Sequence, residues 1–173
     1  MKKLILFIIL FPIVIGAQER TKFIKYERDN HFIEYPSNWI LNDLGDNGTK
    51  FFLYPKNSIS SNVFTENINL IVKNVDNTIS TIEDYKVLVE QQISSMLTES
   101  KISLSEIVNK NSLKSHHLIA EGKSGDYKFK TVIYSYLMNE QIYTLTFVTL
   151  HETYEDNHIQ SLRIMDSFSL IKS

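Results

Sequence analysis

The stretch that decides the fold is residues 127–150, YKFKTVIYSYLMNEQIYTLTFVTL. β-Branched and aromatic residues occupy both of its alternating faces, which is typical of strands that are covered on each side. The pattern breaks only at Asn139-Glu140, so we predict a β-hairpin with its tight turn at these two residues. We interpret this hairpin as the scaffold of the protein.

The predicted turn also decides which residues face each other across the hairpin. One face carries large apolar or aromatic pairs, namely Val132 with Phe147, Tyr134 with Leu145 and Tyr136 with Tyr143. The other face is smaller and more polar, with Ser135 opposite Thr144 and Ile133 opposite Thr146. A slip of one residue would exchange the two faces, so we expect this register to be strongly specified.

Residues 1–17 have the features of a secretory signal peptide. Lys2 and Lys3 form a short basic region, an apolar run interrupted only by Pro12 follows, and Gly16-Ala17 supply small residues for cleavage. The apolar run is too short for a stable membrane span. We expect export and cleavage after Ala17; the alternative is an uncleaved amphipathic or buried first element.

The composition limits the possible anchoring of the protein and the classes of partner that it can bind. The chain has no Cys, so a lipid anchor on cysteine, disulfide bonds and thiolate metal sites cannot be built. Removing Lys2 and Lys3 with the signal peptide leaves 16 basic and 20 acidic residues, a net charge near −4. Binding to nucleic acid and non-specific binding to anionic lipid need a basic footprint, so we expect neither. We predict a periplasmic or secreted protein that is not a lipoprotein and has no stable membrane insertion after cleavage.

Short strands are predicted for the first half of the mature chain. They cover residues 31–35, 51–54 and 68–75, and connections are predicted at 42–50 and 56–65. Pro36 ends the first strand, and residues 37–39 are predicted to be a turn that places the only Trp, Trp39. The polar residues 18–30 are predicted to be a loose lead-in or an edge segment.

Two helices are predicted from apolar residues at helical spacing. The first covers residues 80–98 and starts at a capping box formed by Ser80 with Glu83 or by Thr81 with Asp84. Its apolar face comprises Ile82, Tyr85, Leu88, Val89, Ile93, Met96 and Leu97. The second covers residues 154–166 and is capped by Thr153 with Asp156. Its apolar face comprises Tyr154, His158 or Ile159, Leu162 and Met165.

The order of the elements predicts the fold class. Alternation at 102–106 and 115–123, followed by the hairpin, indicates an antiparallel meander between the two helices, and Phe168 is expected to lie on the core. The chain shows no internal repeat and no interdomain linker. We therefore predict one α+β domain over residues 18–173, with an antiparallel β-sheet flanked by helices.

Residues 32–39, FIEYPSNW, resemble the opening of the PsbP-like/Mog1-like domains, which include DcrB-related bacterial proteins and the PsbP proteins of the thylakoid lumen. The later order is also similar over residues 30–170, with a middle helix, a strand meander, a Tyr-rich hairpin and a final helix ending in Ser-Phe. The resemblance implies an α/β/α sandwich around an antiparallel sheet. It implies no activity and no catalytic residue, because members of this group act as assembly factors, a GTPase-binding protein, envelope proteins and chaperones.

No residue pattern indicates a chemical site. His116 and His117 would point to opposite faces of a strand and so cannot chelate one metal in the usual way. Asp43 and Asp46 lie in a loop that lacks the terminal Glu of a calcium loop. His151-Glu152 lacks the second His of a zinc-protease helix at the required spacing. We therefore assign no catalytic, cofactor-binding or metal-binding residue, and we predict no cofactor.

A Tyr-rich surface remains as the functional hypothesis. The tyrosines that could line a groove, or could be core residues with the hydroxyl at the rim, are Tyr26, Tyr35, Tyr54, Tyr127, Tyr134, Tyr136, Tyr143 and Tyr154. We favour an exported, non-catalytic accessory or protein-binding module of the bacterial cell envelope, with another envelope protein as its partner. The alternative is a small-ligand-binding protein or an enzyme, with a pocket between the sheet and the C-terminal helix lined by Tyr and His.

The signal-peptide hypothesis makes a direct prediction about the mature chain. We expect mass spectrometry of the protein from its native envelope fraction to show a chain that starts at or near Gln18, because the small residues before it favour cleavage there. An intact Met1 on protein in the cytoplasmic fraction would contradict the prediction.

Overall fold

The structure is a computed structural model that describes residues 21–57, 64–76, 78–110 and 113–171. The predicted signal peptide and most of the predicted connection at 56–65 lie outside these residues. Within the part of the chain that is described, neither helix has the length and apolar character of a membrane span.

The described residues form ten strands and two α-helices. The strands are β1 (Phe23–Arg28), β2 (His31–Pro36), β3 (Trp39–Asn42), β4 (Thr49–Pro55), β5 (Asn67–Asn74), β6 (Thr98–Lys110), β7 (Leu113–Ser124), β8 (Tyr127–Met138), β9 (Gln141–Leu150) and β10 (Ser169–Leu170). The helices are α1 (Ile82–Met96), between β5 and β6, and α2 (Tyr154–Ser167), between β9 and β10.

Seven strands make the main sheet, in the order β3-β4-β5-β9-β8-β7-β6, and every pair in it is antiparallel. A smaller antiparallel sheet has the order β1-β2-β10. The predicted α+β class with helices on an antiparallel sheet is confirmed. The polar lead-in contains an edge strand, β1, which was one of the two predicted alternatives.

The β8–β9 hairpin has the predicted register. Val132 pairs with Phe147, Tyr134 with Leu145 and Tyr136 with Tyr143, while Ser135 pairs with Thr144 and Ile133 with Thr146. Asn139 and Glu140 have φ values of 52° and 59°, so both turn residues adopt the left-handed conformation. Positive φ at both central residues is the geometry of the type I′ turn, whose twist matches that of the flanking strands.

The two faces of the main sheet carry cores of very different size. On one face, α2 and the small sheet cover a large cluster that includes Ile33, Phe51, Leu145, Phe147 and Ile164, all fully buried. On the other face, α1 covers a small cluster formed by Val89, Leu118, Ala120 and Ile133. The difference follows from the hairpin register, because the large side chains of β8 and β9 point to the α2 face.

Helix α1 begins as predicted and packs on one half of its face of the sheet. Thr81 and Asp84 form the capping box, with the Asp84 N–H donating to Thr81 Oγ1 over 3.1 Å. The helix contacts mainly β6, β7 and β8. At its end Leu97 lies so close to Gly122 that a Cβ atom built at Gly122 would be 2.7 Å from the Leu97 Cβ. A glycine at this position therefore allows the close contact between α1 and β7.

Three local predictions were wrong. Trp39 is not in a turn but begins β3, where it is buried and its Nε1 donates to Gln160 Oε1 of α2 over 2.9 Å. Thr153 makes no capping box, because a 3-10 turn precedes α2 and the Thr153 hydroxyl donates instead to the Leu150 carbonyl. Met96 was predicted to lie on the buried face of the first helix, but its side chain is 75% exposed, because the end of α1 is not packed against β5 and β9.

The turn of the hairpin yields a stability prediction. We expect Glu140→Gly to stabilise the fold by about 0.5–1 kcal/mol, because glycine adopts positive φ without the steric cost that Glu carries, and this gain exceeds its added chain entropy. Asn139→Gly should change stability less, since Asn tolerates the left-handed conformation. Urea unfolding of both variants measures the difference, and a destabilising effect of Glu140→Gly would contradict it.

Candidate functional site

The tyrosines of the hypothesised groove do not form one surface. Tyr35, Tyr143 and Tyr154 are buried in the large core. Tyr26 donates from its hydroxyl to Asp43 Oδ2 over 3.1 Å, and Tyr127 is half exposed at the start of β8. The alternative that these tyrosines are ordinary core and rim residues is therefore correct for most of them.

Tyr134 and Tyr136 line a cleft between the sheet and the end of α2, where the alternative functional hypothesis placed a pocket. This aromatic cleft has a volume of about 410 Å³. Its walls come from β2, β7, β8, the end of α2 and β10, and its lining residues include Phe32, Ser115, His117, Tyr134, Tyr136, Asp166 and Phe168. Five aromatic rings line this cleft, and His117 supplies the only imidazole among its lining residues.

The polar groups of the aromatic cleft hold protein elements together. The His117 ring is stacked on the Tyr134 ring at 3.7 Å, with an angle of 9° between the planes, and the Tyr134 hydroxyl donates to Asp166 Oδ1 over 3.2 Å. Burial, and then the Asp166 carboxylate, raise the pKa of the Tyr134 hydroxyl well above its usual value. The phenol is therefore a neutral donor near pH 7, and its hydrogen bond joins β8 to the end of α2.

His116 lies on the opposite face of β7 from His117, as the strand alternation predicted. It is fully buried, and its Nε2 lies 2.9 Å from Ser105 Oγ. Burial, and then the nearby Lys86, lower the pKa of His116 to about 4. The imidazole is therefore neutral in the folded protein at ordinary pH.

The acidic residues singled out in the sequence bind neighbouring side chains of the protein. Asp43 accepts from Tyr26 and from Arg28 Nη1, and Asp46 accepts from the Asn42 amide. His151 Nε2 lies 2.9 Å from Glu121 Oε2. Among the described residues, no three or more His, Asp or Glu side chains are grouped so that they could hold a metal ion.

A concave surface larger than the aromatic cleft lies on the other face of the sheet, beside α1. Because α1 covers mainly β6 to β8, the adjacent part of β5 and β9 remains open, and a groove of about 630 Å³ runs between the helix and these strands. We call it the α1 groove. Its helix side comprises Tyr85, Val89, Gln92, Ile93, Met96 and Leu97, and its sheet side comprises Ile71, Lys73, Phe129, Thr131, Ile133, Ile142, Thr144, Thr146 and Val148, with Phe64 at one end.

The two ends of the α1 groove differ in polarity. At one end the Tyr85 hydroxyl lies 3.0 Å from Thr144 Oγ1, and Lys73 follows on the neighbouring strand, paired with Ile142. At the other end the rings of Phe64 and Phe129 meet edge to face at 4.9 Å, near the exposed Met96. The floor between them is mainly apolar with a few Thr hydroxyls. The groove is therefore an apolar surface with a polar end, a character that marks binding sites.

Sequence reasoning did not find this groove. Ile71, Thr146 and Val148 were assigned to strands, but nothing in their alternation shows that the helix leaves them uncovered. Tyr85 lies on the packed face of the first helix, as predicted, but its sequence context does not show that its hydroxyl reaches Thr144 of β9 over a separation of 59 residues. One feature of the sequence could have indicated the groove. The second face of the hairpin has smaller side chains, several of them Thr, and these leave space between the sheet and whatever lies above it.

Comparisons with known proteins identify the fold. The sequence matches no protein-family model and no curated protein. Among solved structures, the cyanobacterial PsbP protein (CyanoP) of Synechocystis sp. PCC 6803 is similar with a TM-score of 0.64 at 14% identity, over 90% of this chain and 96% of that one. LpqN of Mycobacterium tuberculosis, which is involved in cell envelope biogenesis, is similar with a TM-score of 0.69 at 7% identity, over 88% of this chain and 91% of that one.

A Pseudomonas aeruginosa protein of unknown function is also similar, with a TM-score of 0.61 at 10% identity, over 87% of this chain and 99% of that one. These structures define an α+β protein built on an antiparallel sheet. The chain has the PsbP-like/Mog1-like fold, as the resemblance of residues 32–39 implied.

Buried His116 gives the protein a predicted sensitivity to acid. Its folded-state pKa of about 4 lies below the ordinary value of 6.5, so only the unfolded chain binds a proton between these values, and stability falls as pH falls from 6.5 to 4. We expect the loss from His116 to be about 2–3 kcal/mol.

Urea unfolding between pH 7 and pH 4 measures this loss. His116→Gln cannot titrate and should show a shallower decline, with the remainder due partly to His31, whose pKa burial also lowers. Parallel stability curves for the variant and the wild type would show that His116 does not carry the effect.

Proposed function

We propose that this protein is an exported, non-catalytic accessory protein of the bacterial cell envelope that works by binding another envelope component. The binding surface is the α1 groove. The observation that carries the proposal is the incomplete cover of the sheet by α1, which leaves a long apolar surface open beside a helix.

The character of the groove supports binding in preference to catalysis. Its lining is dominated by aliphatic and aromatic side chains, and its titratable groups are Lys73 and Tyr85 at one end. Acid–base or nucleophilic catalysis needs a base within hydrogen-bonding reach of a reacting group. An apolar groove with a short polar end instead suits the capture of an apolar segment of a partner.

The similar structures support the location and leave the partner open. LpqN, the envelope-biogenesis protein of Mycobacterium tuberculosis, has the same fold, although its low identity carries no activity over to this chain. The predicted signal peptide adds an independent argument for export. From the sequence we expect the partner to be an envelope protein. The lining of the α1 groove requires only that the part of the partner that enters it be apolar.

Photo-crosslinking from two matched positions tests the proposal. Met96 at the α1 groove and Ile159 on the outer side of α2 are both 75% exposed and both lie on helices. Replacing either with benzoylphenylalanine should leave the fold intact, because neither side chain is buried. After irradiation of cells that express the protein, we expect a strong adduct at position 96 and only background at position 159.

Mass analysis of the adduct identifies its chemical class. A protein adduct and a lipid adduct at position 96 both support the groove as the binding surface. Equal adducts at the two positions, or none at position 96 while the protein is correctly exported, would contradict the proposal.

A further inference from the structure

We infer that the α1 groove binds the alkyl chain of an anionic amphiphile, with the acidic head group at Lys73 and the chain directed toward Phe64 and Phe129. This inference rests on the proposed function and names the class of ligand for the same site. The amphiphile of this inference is a fatty acid, which has the required chemistry, an acidic head on one long chain.

The head-group end is defined by Lys73 and Tyr85. Lys73 is exposed on β5, has the strand parity of Ile71, and so projects on the groove side of the sheet. It forms no ion pair among the described residues. The Tyr85 and Thr144 hydroxyls, 3.0 Å apart, lie at the next pair on the same face of the sheet, where Thr144 is opposite Ile71. Their mutual hydrogen bond uses one hydroxyl proton and leaves the other for the head group, so one ammonium and one hydroxyl donor at this end complement a carboxylate or phosphate.

The α1 groove is long enough to hold the alkyl chain of a common fatty acid. Tyr85 and Met96 are both on α1, and a rise of about 1.5 Å per residue places them roughly 16 Å apart. With C–C bonds of about 1.5 Å in a staggered chain, this distance holds roughly a dozen carbon atoms. The volume of about 630 Å³ is of the size that encloses small ligands.

Backbone chemistry favours an alkyl chain over an extended peptide. The sheet side of the groove consists of the internal strands β5, β9 and β8. Strands β9 and β8 are paired along both edges, and β5 is paired on both edges over residues 68–71, so most of their N–H and C=O groups are already used. An extended peptide laid over them would have few partners for its own backbone groups in an apolar surface, which is costly. An alkyl chain has no polar groups to satisfy.

Isothermal titration calorimetry with the purified mature protein tests the inference at one pH and ionic strength. The ligands are octanoate, dodecanoate and hexadecanoate, each below its micelle concentration, and 1-dodecanol as the uncharged match of dodecanoate. We expect Kd to fall by about three- to fourfold per methylene from octanoate to dodecanoate, and to flatten once the chain exceeds the groove.

Three variants locate the ligand. Lys73→Gln should weaken dodecanoate binding about tenfold and leave 1-dodecanol within about twofold, because only the acid uses the ammonium group. Lys101→Gln makes the same charge change on the exposed surface of β6, outside the groove lining. This control variant should bind dodecanoate and 1-dodecanol with the affinity of the wild type. Thr146→Phe places a ring on the groove floor and should abolish the binding of both, with an unchanged melting temperature as the check on folding.

Several results would overturn the inference. Equal binding of dodecanoate by wild type and Lys73→Gln would remove the head-group assignment, and undiminished binding by Thr146→Phe would place the chain elsewhere. If none of the four ligands binds, the amphiphile is excluded; a protein adduct at position 96 in the crosslinking experiment would then leave the proposed function standing. If position 96 gives no adduct either, both fail.

Discussion

The register of the β8–β9 hairpin is the constraint on which the rest of the structure depends. Because side chains alternate along a strand, the pairing that starts from Asn139-Glu140 sends Val132, Phe147 and Leu145 to one face and Ser135, Thr144 and Thr146 to the other. The first face is large and apolar enough to bury α2 and a second small sheet. The second face carries smaller and more polar side chains, and only a small apolar cluster forms beneath α1. One choice of register therefore divides the molecule into a side that holds the fold and a side that is left partly open.

The open side follows from this division. The helix α1 lies over β6, β7 and β8, where Gly122 of β7 allows a close approach, and it leaves the Thr-containing face of β9 and the neighbouring part of β5 beside it. The large core on the opposite face carries most of the apolar burial, so an uncovered strip along β5 and β9 need not unfold the protein. Binding at the groove would bury that strip without disturbing the main core. The aromatic cleft differs, because its His117, Tyr134 and Asp166 join β7, β8 and α2 to one another.

Most of the predictions that succeeded concern local features of the sequence, although the capping box of Thr153 with Asp156 was wrong, and features that depend on the placement of distant elements could not be predicted. The hairpin register and the Thr81–Asp84 capping box are decided by residues a few positions apart, and both are confirmed. Strand β3 was missed because Trp39 is held by Gln160, which lies 121 residues away. The groove was missed for the same reason, since alternation shows which face Ile71 occupies but not whether a helix covers it. The choice between His158 and Ile159 also depended on tertiary packing: His158 stacks on Tyr154, and Ile159 is exposed.

The central claim is that one face of the sheet beside α1 is open in the free protein. It is tested most directly by methyl NMR of the mature protein in the presence of a soluble gadolinium chelate, which broadens the signals of solvent-accessible methyl groups. Leu70 and Ile71 are neighbours on β5 that point to opposite faces, and Leu70 is fully buried. The account predicts strong broadening of the Ile71 and Met96 methyl signals and full protection of Leu70 and Ile164. Equal protection of Ile71 and Leu70 would show that the face is covered, and it would contradict the account.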